Sequence, residues 1–247
     1  MNPTAKKTII YAYQLKQKCD TGCAPCIYDR DGNPTGILSL ACCKGGYIRY
    51  EGLNNEQEIR TGLRYWIGMD YGREIEDGRV ACYVFGIYQK MLLYFAKITE
   101  IITMADYFVP GSHYKNRYDN IYDFLQDKHD FERNGNNKKF HSKKETSQHT
   151  KDWLGEYVLI SNCFAYFGRE SKPISQDTLD ILLETCRKRE PYHGDSPVGK
   201  QIMDEVRKRW NFKDIIQGVP HDYNQVCNSK GCGKSESHPV PKRVRHC

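Results

Sequence analysis

The sequence lacks any long apolar run. No stretch approaches the roughly 20 apolar residues that a membrane helix requires. The opening MNPTAKKTIIYAYQ also has no apolar segment ending in small residues, the pattern that marks a secretory signal. We therefore expect a soluble, cytoplasmic protein that does not bind a membrane.

Strong catalytic signatures are missing as well. The chain contains no P-loop, no nucleophile elbow and no HExxH helix. It has no internal repeat that would indicate a solenoid or a propeller. The sequence therefore assigns neither a reaction nor a cofactor nor an oligomeric state, and it leaves open whether the protein is an enzyme.

Cysteine is plentiful, but its pattern argues against a disulfide framework. The count of 11 is odd, and a reducing cytoplasm disfavours disulfides. Cys23 and Cys26 form a C-x-x-C pair that could bind zinc together with Cys42 and Cys43, or could act as a redox pair. Adjacent cysteines seldom bind one zinc ion together, and no helical pattern follows the pair. We therefore predict no metal at this position.

The C-terminal residues hold a second group of potential metal ligands. These are Cys227, Cys232, His238, His246 and Cys247. Their spacing is close to a zinc-finger pattern without matching one, so a zinc-bound segment and a disordered tail both stay open.

The composition is that of a globular chain with polar flanks. Hydrophobic residues make up 39% of the 247 residues, and 18 Tyr with 9 Phe supply large side chains for a packed interior. The net charge is +6, and its positive residues concentrate in KNRYDN, NGNNKKFHSKK, CRKRE, EVRKRW and PKRVRHC. These segments could line a surface for phosphates, or they could be solvated helix faces and a mobile tail.

The patterning predicts an α+β fold, with a curled mixed β-sheet or small barrel-like core and C-terminal helices. Strands are predicted at residues 7–15, 37–43, 47–50, 65–69, 80–86, 91–102 and 157–168. Helices are predicted at residues 56–63, 104–108, 175–189 and 198–210. Residues 126–150 are too polar to bury and are predicted to be a surface loop. We expect a body at residues 1–170, a helical extension at 171–221 and a flexible tail at 222–247.

The stretch KCDTGCAPC follows the first predicted strand and contains residues that could hold a ligand. Asp20, Thr21 and Gly22 form a tight hydrogen-bonding turn in which glycine allows close approach. Lys44 and Arg49, on the next segment, supply cations suited to a phosphate or a carboxylate. The pattern is consistent with a site for a charged small molecule, and equally with a surface turn that forms an ordinary salt bridge.

Two further polar segments contain candidate site residues. In GSHYKNRYDNIY, polar side chains that could read a base edge alternate with tyrosines that could stack on a base. His141, in the basic stretch KKFHSKK, is a candidate general acid or base.

Six segments in order resemble one known family. They are YAYQLKQKCDTGCAPC, LSLACCKGGYIR, YWIGM, LLYFAKITEIITMADYF, RYDNIY and YVLISNCFAYFG, and together they resemble the nucleotide modification associated domain 2 (Nmad2) family over residues 9–168. The resemblance implies a role in phage or bacterial DNA base modification, or in the conflict around it. It points to a site formed by Asp20, Thr21, Gly22, Ala24, Pro25, Lys44, Arg49, Asn120 and Tyr122. Gly45 and Gly46 depart from the family, which usually has proline there.

A looser similarity is to PUA-like and EVE domains, which hold a modified base in an aromatic pocket. It would make Trp66, Tyr94 and Phe95 a pocket wall, although these residues also fit a plain hydrophobic core. The expected partner is a nucleotide or modified base, with DNA as a further candidate. Three hypotheses follow: a nucleotide- or base-modifying enzyme, a non-catalytic reader of modified bases, and a partner subunit that docks on DNA.

Overall fold

The computed structural model describes eight stretches of the chain. They are residues 7–15, 25–42, 44–51, 57–88, 90–134, 146–168, 172–188 and 190–209. The strands within them are β1 (Lys7–Leu15), β2 (Cys26–Tyr28), β3 (Pro34–Leu40), β4 (Tyr47–Glu51), β5 (Gln57–Thr61), β6 (Val80–Tyr88), β7 (Met91–Ile98), β8 (Glu100–Thr103), β9 (Tyr122–Leu125), β10 (Asp130–Arg133), β11 (Tyr157–Ser161), β12 (Cys163–Tyr166), β13 (Lys172–Pro173) and β14 (Tyr192–His193). The helices are α1 (Leu63–Glu76), α2 (Met104–Phe108), α3 (Thr146–Trp153), α4 (Gln176–Lys188) and α5 (Pro197–Arg209).

The largest sheet is mixed and has the strand order β12-β7-β6-β1-β14, with β13 also paired to β7. Strands β1 and β6 run parallel, in register from Lys7 opposite Val80 to Leu15 opposite Tyr88. The other pairings in this sheet are antiparallel. Parallel neighbours need a long crossover, and the chain between β1 and β6 supplies it with β2 to β5 and α1.

A second sheet has the order β2-β3-β11-β8, and two further strand pairs, β4-β5 and β9-β10, complete the described β-structure. The main core lies where β1, β6 and β7 face the second sheet and α1, and it contains Tyr11, Tyr13 and Tyr94. The opposite face of the large sheet packs on α4 and α5 and contains Phe85 and Phe95. A third cluster joins the second sheet to α2 and β9. Alternating residues of single strands therefore enter different cores, as the two-residue period of a strand requires.

The α+β class and the mixed sheet are confirmed, and the described strands form no closed barrel. The hairpin β6-β7, the single-turn helix α2 capped by Thr103, and the C-terminal helices α4 and α5 are also as predicted. The strand predicted at 91–102 is divided into β7 and β8, and β8 belongs to the second sheet. Residues 157–168 form two strands, but β11 belongs to the second sheet and β12 to the first. No helix in the described ranges is long and apolar enough to cross a membrane.

Three predictions of secondary structure were wrong. Residues 57–61 form β5, which pairs with β4, where a helix was predicted. Residues 65–69 lie inside α1, where a strand was predicted, because the buried Leu63, Ile67 and Ile75 repeat at helical spacing. The expected loop at 126–150 contains β10 and the start of α3, while residues 135–145 lie outside the described part.

The packing of Tyr94 gives a test of the core. A Cβ atom at Gly86 would overlap the ring of Tyr94, which is 1% exposed and donates a hydrogen bond to the Tyr13 hydroxyl at 2.9 Å. We expect Gly86→Ala to lower the free energy of unfolding by about 1–3 kcal/mol in chemical denaturation, because the buried ring has no room to move.

The matched control for that change is Gly72→Ala in α1, where a Cβ atom would meet nothing within 4 Å. Because alanine favours a helix over glycine, this variant should be unchanged or more stable by up to about 1 kcal/mol. Equal destabilisation by both substitutions would contradict the packing described here.

Candidate functional site

Lys44 lies against the C-terminal end of β1. Its Nζ donates a hydrogen bond to the carbonyl oxygen of Gln14 at 3.3 Å and lies 4.8 Å from the centroid of the Tyr13 ring. The backbone of Lys44 is left-handed, with φ of 51°. Such a conformation costs a non-glycine residue roughly 1–2 kcal/mol. Strained residues of this kind concentrate at functional sites, and the packing around Lys44 must hold it in place.

The segment after Lys44 folds directly onto the start of α1. The carbonyl of Lys44 accepts a hydrogen bond from the amide of Arg64 at 3.2 Å. Gly46 and Gly62 have φ of 136° and 147°, and a Cβ atom on either would overlap the other segment's backbone. Only glycine permits both this conformation and this close approach. The glycines at 46 and 62 therefore let the Lys44 segment reach the start of α1.

Arg64 fixes this junction from inside the protein. Its side chain is 0% exposed and donates hydrogen bonds to the carbonyl oxygens of Asp152, at 2.5 Å, and Tyr157. A Cβ atom at Gly155 would overlap the guanidinium group. Arg64 thus connects the first turn of α1 to the end of α3 and the start of β11, and its own amide bonds to the Lys44 carbonyl.

The RYDNIY segment forms a buried polar frame. The carboxylate of Asp119 accepts hydrogen bonds from Ser39 Oγ and from the Tyr107 hydroxyl, each at 2.7 Å, and lies 3.7 Å from Arg117 Nε. Arg117 and Asp119 are 4% and 2% exposed. Buried charges are tolerated only when they are paired and hydrogen-bonded, and this pair is both.

The guanidinium of Arg117 connects three further groups. It donates to the carbonyl oxygens of Cys26 at 2.6 Å and Ile37 at 3.0 Å, and to Thr35 Oγ1 at 2.7 Å. Burial alone would lower the pKa of Arg117, but the adjacent Cys26, Tyr107 and Asp119 raise it above its ordinary value. Arg117 therefore stays charged and ties β2 and β3 to the loop that precedes β9.

Asn120 and Tyr122 are also inside the protein. The Asn120 side chain donates to the carbonyl of Tyr107 at 3.1 Å, and the Tyr122 hydroxyl donates to Asp152 Oδ2 at 2.8 Å. They are 3% and 0% exposed. Their role as base contacts stays a prediction, and it requires these internal bonds to open. Trp66 is half-buried in α1, two residues after Arg64.

Several predicted site residues lie outside the described residues. These are Asp20, Thr21, Gly22, Ala24 and His141. Arg49 lies in β4 opposite Ile59, and its side chain is likewise outside the description. The structure thus describes Pro25, Lys44, Trp66, Asn120 and Tyr122. Trp66 lies in the first turn of α1, and the amide of Arg64 in that turn bonds to the Lys44 carbonyl.

Two cysteines near the predicted loop are packed as thiols. Cys26 is 1% exposed and donates to the carbonyl of Tyr28 at 3.3 Å, and its burial raises the pKa of the thiol to about 12. Burial also raises the pKa of Cys42 well above its ordinary value. A thiolate is the form that binds metal. Within the described ranges, no three His, Cys, Asp or Glu side chains form a metal site.

Sequence reasoning missed Arg64. Arg117 and Asp119 belong to the segment GSHYKNRYDNIY, whose polar side chains could read a base edge, and the structure buries both of them. A usable signal for Arg64 was present, because GLRYWIG places arginine next to the buried positions Leu63 and Ile67 of a helix.

The fold and the Lys44 junction define a class: an α+β protein with a mixed sheet, C-terminal helices and a cation held at the end of its first strand. The sequence model of nucleotide modification associated domain 2 (Nmad2) matches residues 7–226, so the chain belongs to that family. The family name associates it with nucleotide modification. Comparison with curated proteins and with solved structures gave no match. The looser similarity to PUA-like and EVE domains stays a prediction.

The buried frame gives a second test. We expect Arg117→Met to lower the free energy of unfolding by about 3–5 kcal/mol, because Asp119 would keep a buried charge without its partner. The matched control is Arg79→Met, which breaks a 3.0 Å pair with Asp77 in which both side chains are about half exposed. That change should cost less than about 1 kcal/mol. Chemical denaturation of both variants measures the free energies of unfolding. Similar losses in the two variants would contradict a stabilising role of the buried pair.

Proposed function

We propose that the protein binds a nucleotide or a modified nucleobase at the C-terminal end of β1 and processes it during nucleotide modification. The observation that carries the proposal is the position of the Lys44 ammonium, beside Gln14 and Tyr13 at the point where the chain leaves β1. The next residues along the chain include Asp20, Thr21 and Gly22. Membership of the Nmad2 family supports the choice of ligand.

The charge of Lys44 favours an anionic ligand. Among the described residues no carboxylate pairs with its ammonium group, which contacts one backbone carbonyl and the face of one ring. A cation without a counter-ion attracts phosphate, and a charge-assisted hydrogen bond to it is stronger than a neutral one. The strained backbone at Lys44 fits a residue positioned for binding.

The remaining roles follow from residue chemistry. Asp20 would orient the ligand or exchange a proton with it, and Arg49 would join Lys44 on a phosphate or oxyanion. His141 is the second candidate for proton transfer. Thr21 and Gly22 would line the turn, and Asn120 with Tyr122 would contact the base.

A second candidate function is a reader that binds a modified base without chemistry. It is favoured by Trp66, a half-buried aromatic side chain near the start of the helix whose Arg64 amide bonds to Lys44. Aromatic rings of this kind stack on bases. A partner subunit that only docks on DNA is the third candidate, and it predicts sequence-independent binding that salt abolishes.

Removal of the Lys44 charge tests the proposed site. The wild type should be stabilised in a thermal-shift screen by one member of a set of nucleoside mono- and triphosphates, modified nucleobases, and plain or modified DNA. Lys44→Met should weaken that ligand at least about 10-fold, because a charge-assisted hydrogen bond contributes roughly 1.5–3 kcal/mol.

Lys90→Met, which alters an exposed lysine in the turn between β6 and β7, is the matched control and should leave the affinity unchanged. Equal affinity of the wild type and Lys44→Met would refute the site. A shift with DNA alone that disappears in salt would favour the docking subunit.

Catalysis is tested separately at Asp20. Asp20→Asn removes the charge with little change in size, so the melting temperature should stay within error while turnover of the ligand found above falls by roughly 100-fold or more. Turnover that persists in this variant would disprove the role of Asp20. Tight binding without turnover in the wild type would favour the reader.

A further inference from the structure

Helix α3 carries two aromatic side chains that lie side by side. His149 and Trp153 are four positions apart, so they share one face of the helix, and their ring centroids are 6.0 Å apart. Tyr122 of β9 contacts both rings edge-on, at 5.6 Å from His149 and 5.8 Å from Trp153. Phe131 of β10 stacks on Trp153 at 5.9 Å. These four side chains form the Trp153 cluster, which joins α3 to the β9-β10 pair.

The indole N–H of Trp153 sets this cluster apart from an ordinary aromatic core. Its nitrogen is buried and makes no hydrogen bond among the described residues, although Trp153 as a whole is partly exposed. A buried tryptophan nitrogen usually has a partner, because a missing hydrogen bond is costly. An indole N–H can only donate. The group that would satisfy it is therefore a hydrogen-bond acceptor.

The polar groups next to Trp153 are engaged elsewhere. The Tyr122 hydroxyl donates to Asp152 Oδ2 at 2.8 Å, and the carbonyl oxygen of Asp152 accepts from Arg64 at 2.5 Å. The Nε2 atom of His149 is buried beside the indole. An acceptor on a bound ligand would satisfy the Trp153 N–H without breaking any of these bonds.

The Trp153 cluster adjoins the Lys44 junction. Asp152, which precedes Trp153, is bonded to Arg64, and the Arg64 amide is bonded to the Lys44 carbonyl. A Cβ atom at Gly45 would overlap the carbonyl oxygen of Asp152, so the residue after Lys44 touches the last turn of α3. A base and its phosphate are joined through a single sugar, and their subsites must be neighbours.

We infer that the Trp153 cluster is the subsite for the base of the nucleotide, an inference that rests on the function proposed above. The Trp153 N–H donates a hydrogen bond to a carbonyl oxygen or ring nitrogen of the base. The partly exposed rings of Trp153 and Phe131 provide the aromatic surface on which the base stacks. The phosphate lies toward Lys44.

Titration calorimetry of the full chain compares the common deoxynucleoside monophosphates with 2-deoxyribose 5-phosphate, which has the phosphate but no base. At least one nucleotide should bind about 10-fold more tightly than the sugar phosphate, because the base adds stacking and a hydrogen bond. Trp153→Phe should weaken that nucleotide about 5-fold and leave the sugar phosphate unchanged. Replacement of Trp153 by its benzothienyl analogue, which keeps the ring size and exchanges only the N–H for sulfur, should do the same. The matched control is Tyr192→Phe in the edge strand β14, which should leave both affinities unchanged.

The matching deoxynucleoside, which has the base but no phosphate, separates this inference from the proposed function. Its affinity should fall in Trp153→Phe and stay unchanged in Lys44→Met, whereas the sugar phosphate should show the reverse. Equal affinity for nucleotide and sugar phosphate, or full retention of nucleotide affinity in both Trp153 variants, would overturn the base subsite and leave Lys44 as a phosphate site. Equal losses for nucleotide and sugar phosphate in Trp153→Phe would overturn it too, because Trp153 would then support only the fold. If no nucleotide binds to the wild type, the proposed function is refuted and this inference with it.

Discussion

The buried pair of Arg117 and Asp119 is the constraint on which much of the structure depends. Two charges removed from water cost several kcal/mol each unless every donor and acceptor is matched. The hydrogen bonds that match them fix the positions of Ser39, Tyr107 and the backbone of β2. The Tyr107 hydroxyl lies 2.7 Å from Asp119 Oδ1 and 3.2 Å from Ser39 Oγ, and an Arg117 amino group lies 2.6 Å from the Cys26 carbonyl oxygen. The RYDNIY segment, which looks like a binding motif in the sequence, thereby joins α2, β9 and the second sheet.

Arg64 is a second buried cation, and its partners lie at the end of α3 and the start of β11. Its fully buried guanidinium satisfies two carbonyl groups, and its amide holds the carbonyl of Lys44. The glycines at 46 and 62 allow the two backbones to touch. Lys44 can keep a strained backbone because the hydrogen bond from Arg64 and the backbone contacts of Gly46 hold the segment in place. Interior contacts thus position Lys44, the cation proposed to bind the ligand, and its ammonium group lies at the end of β1.

The parts of the fold that local pattern controls were predictable from the sequence. The β6-β7 hairpin has β-branched and aromatic runs, and the C-terminal helices show helical spacing of apolar residues, so both were predicted correctly. Residues 57–69 were not. The polar strand β5 forms because it pairs with β4, a contact that its own sequence does not indicate. The apolar residues at 65–69 resemble a strand when only five residues are considered, although they belong to α1. For the candidate site, sequence chemistry selected Lys44, and the structure places its ammonium beside the end of β1. The sequence could not show that the polar atoms of Asn120 and Tyr122 form internal hydrogen bonds, because only the tertiary neighbours reveal them.

The central claim is that the Lys44 ammonium contacts an anionic ligand at the end of β1. The most direct measurement is ¹³C NMR of the protein with reductively methylated lysines, titrated with the nucleoside phosphate that stabilises it best. The account predicts that the Lys44 methyl signal, assigned from a Lys44→Arg variant, shifts saturably while the signals of the exposed Lys90, Lys115 and Lys128 stay in place. A Lys44 signal that does not move while the nucleotide binds, or a uniform shift of all lysines that salt removes, would contradict it.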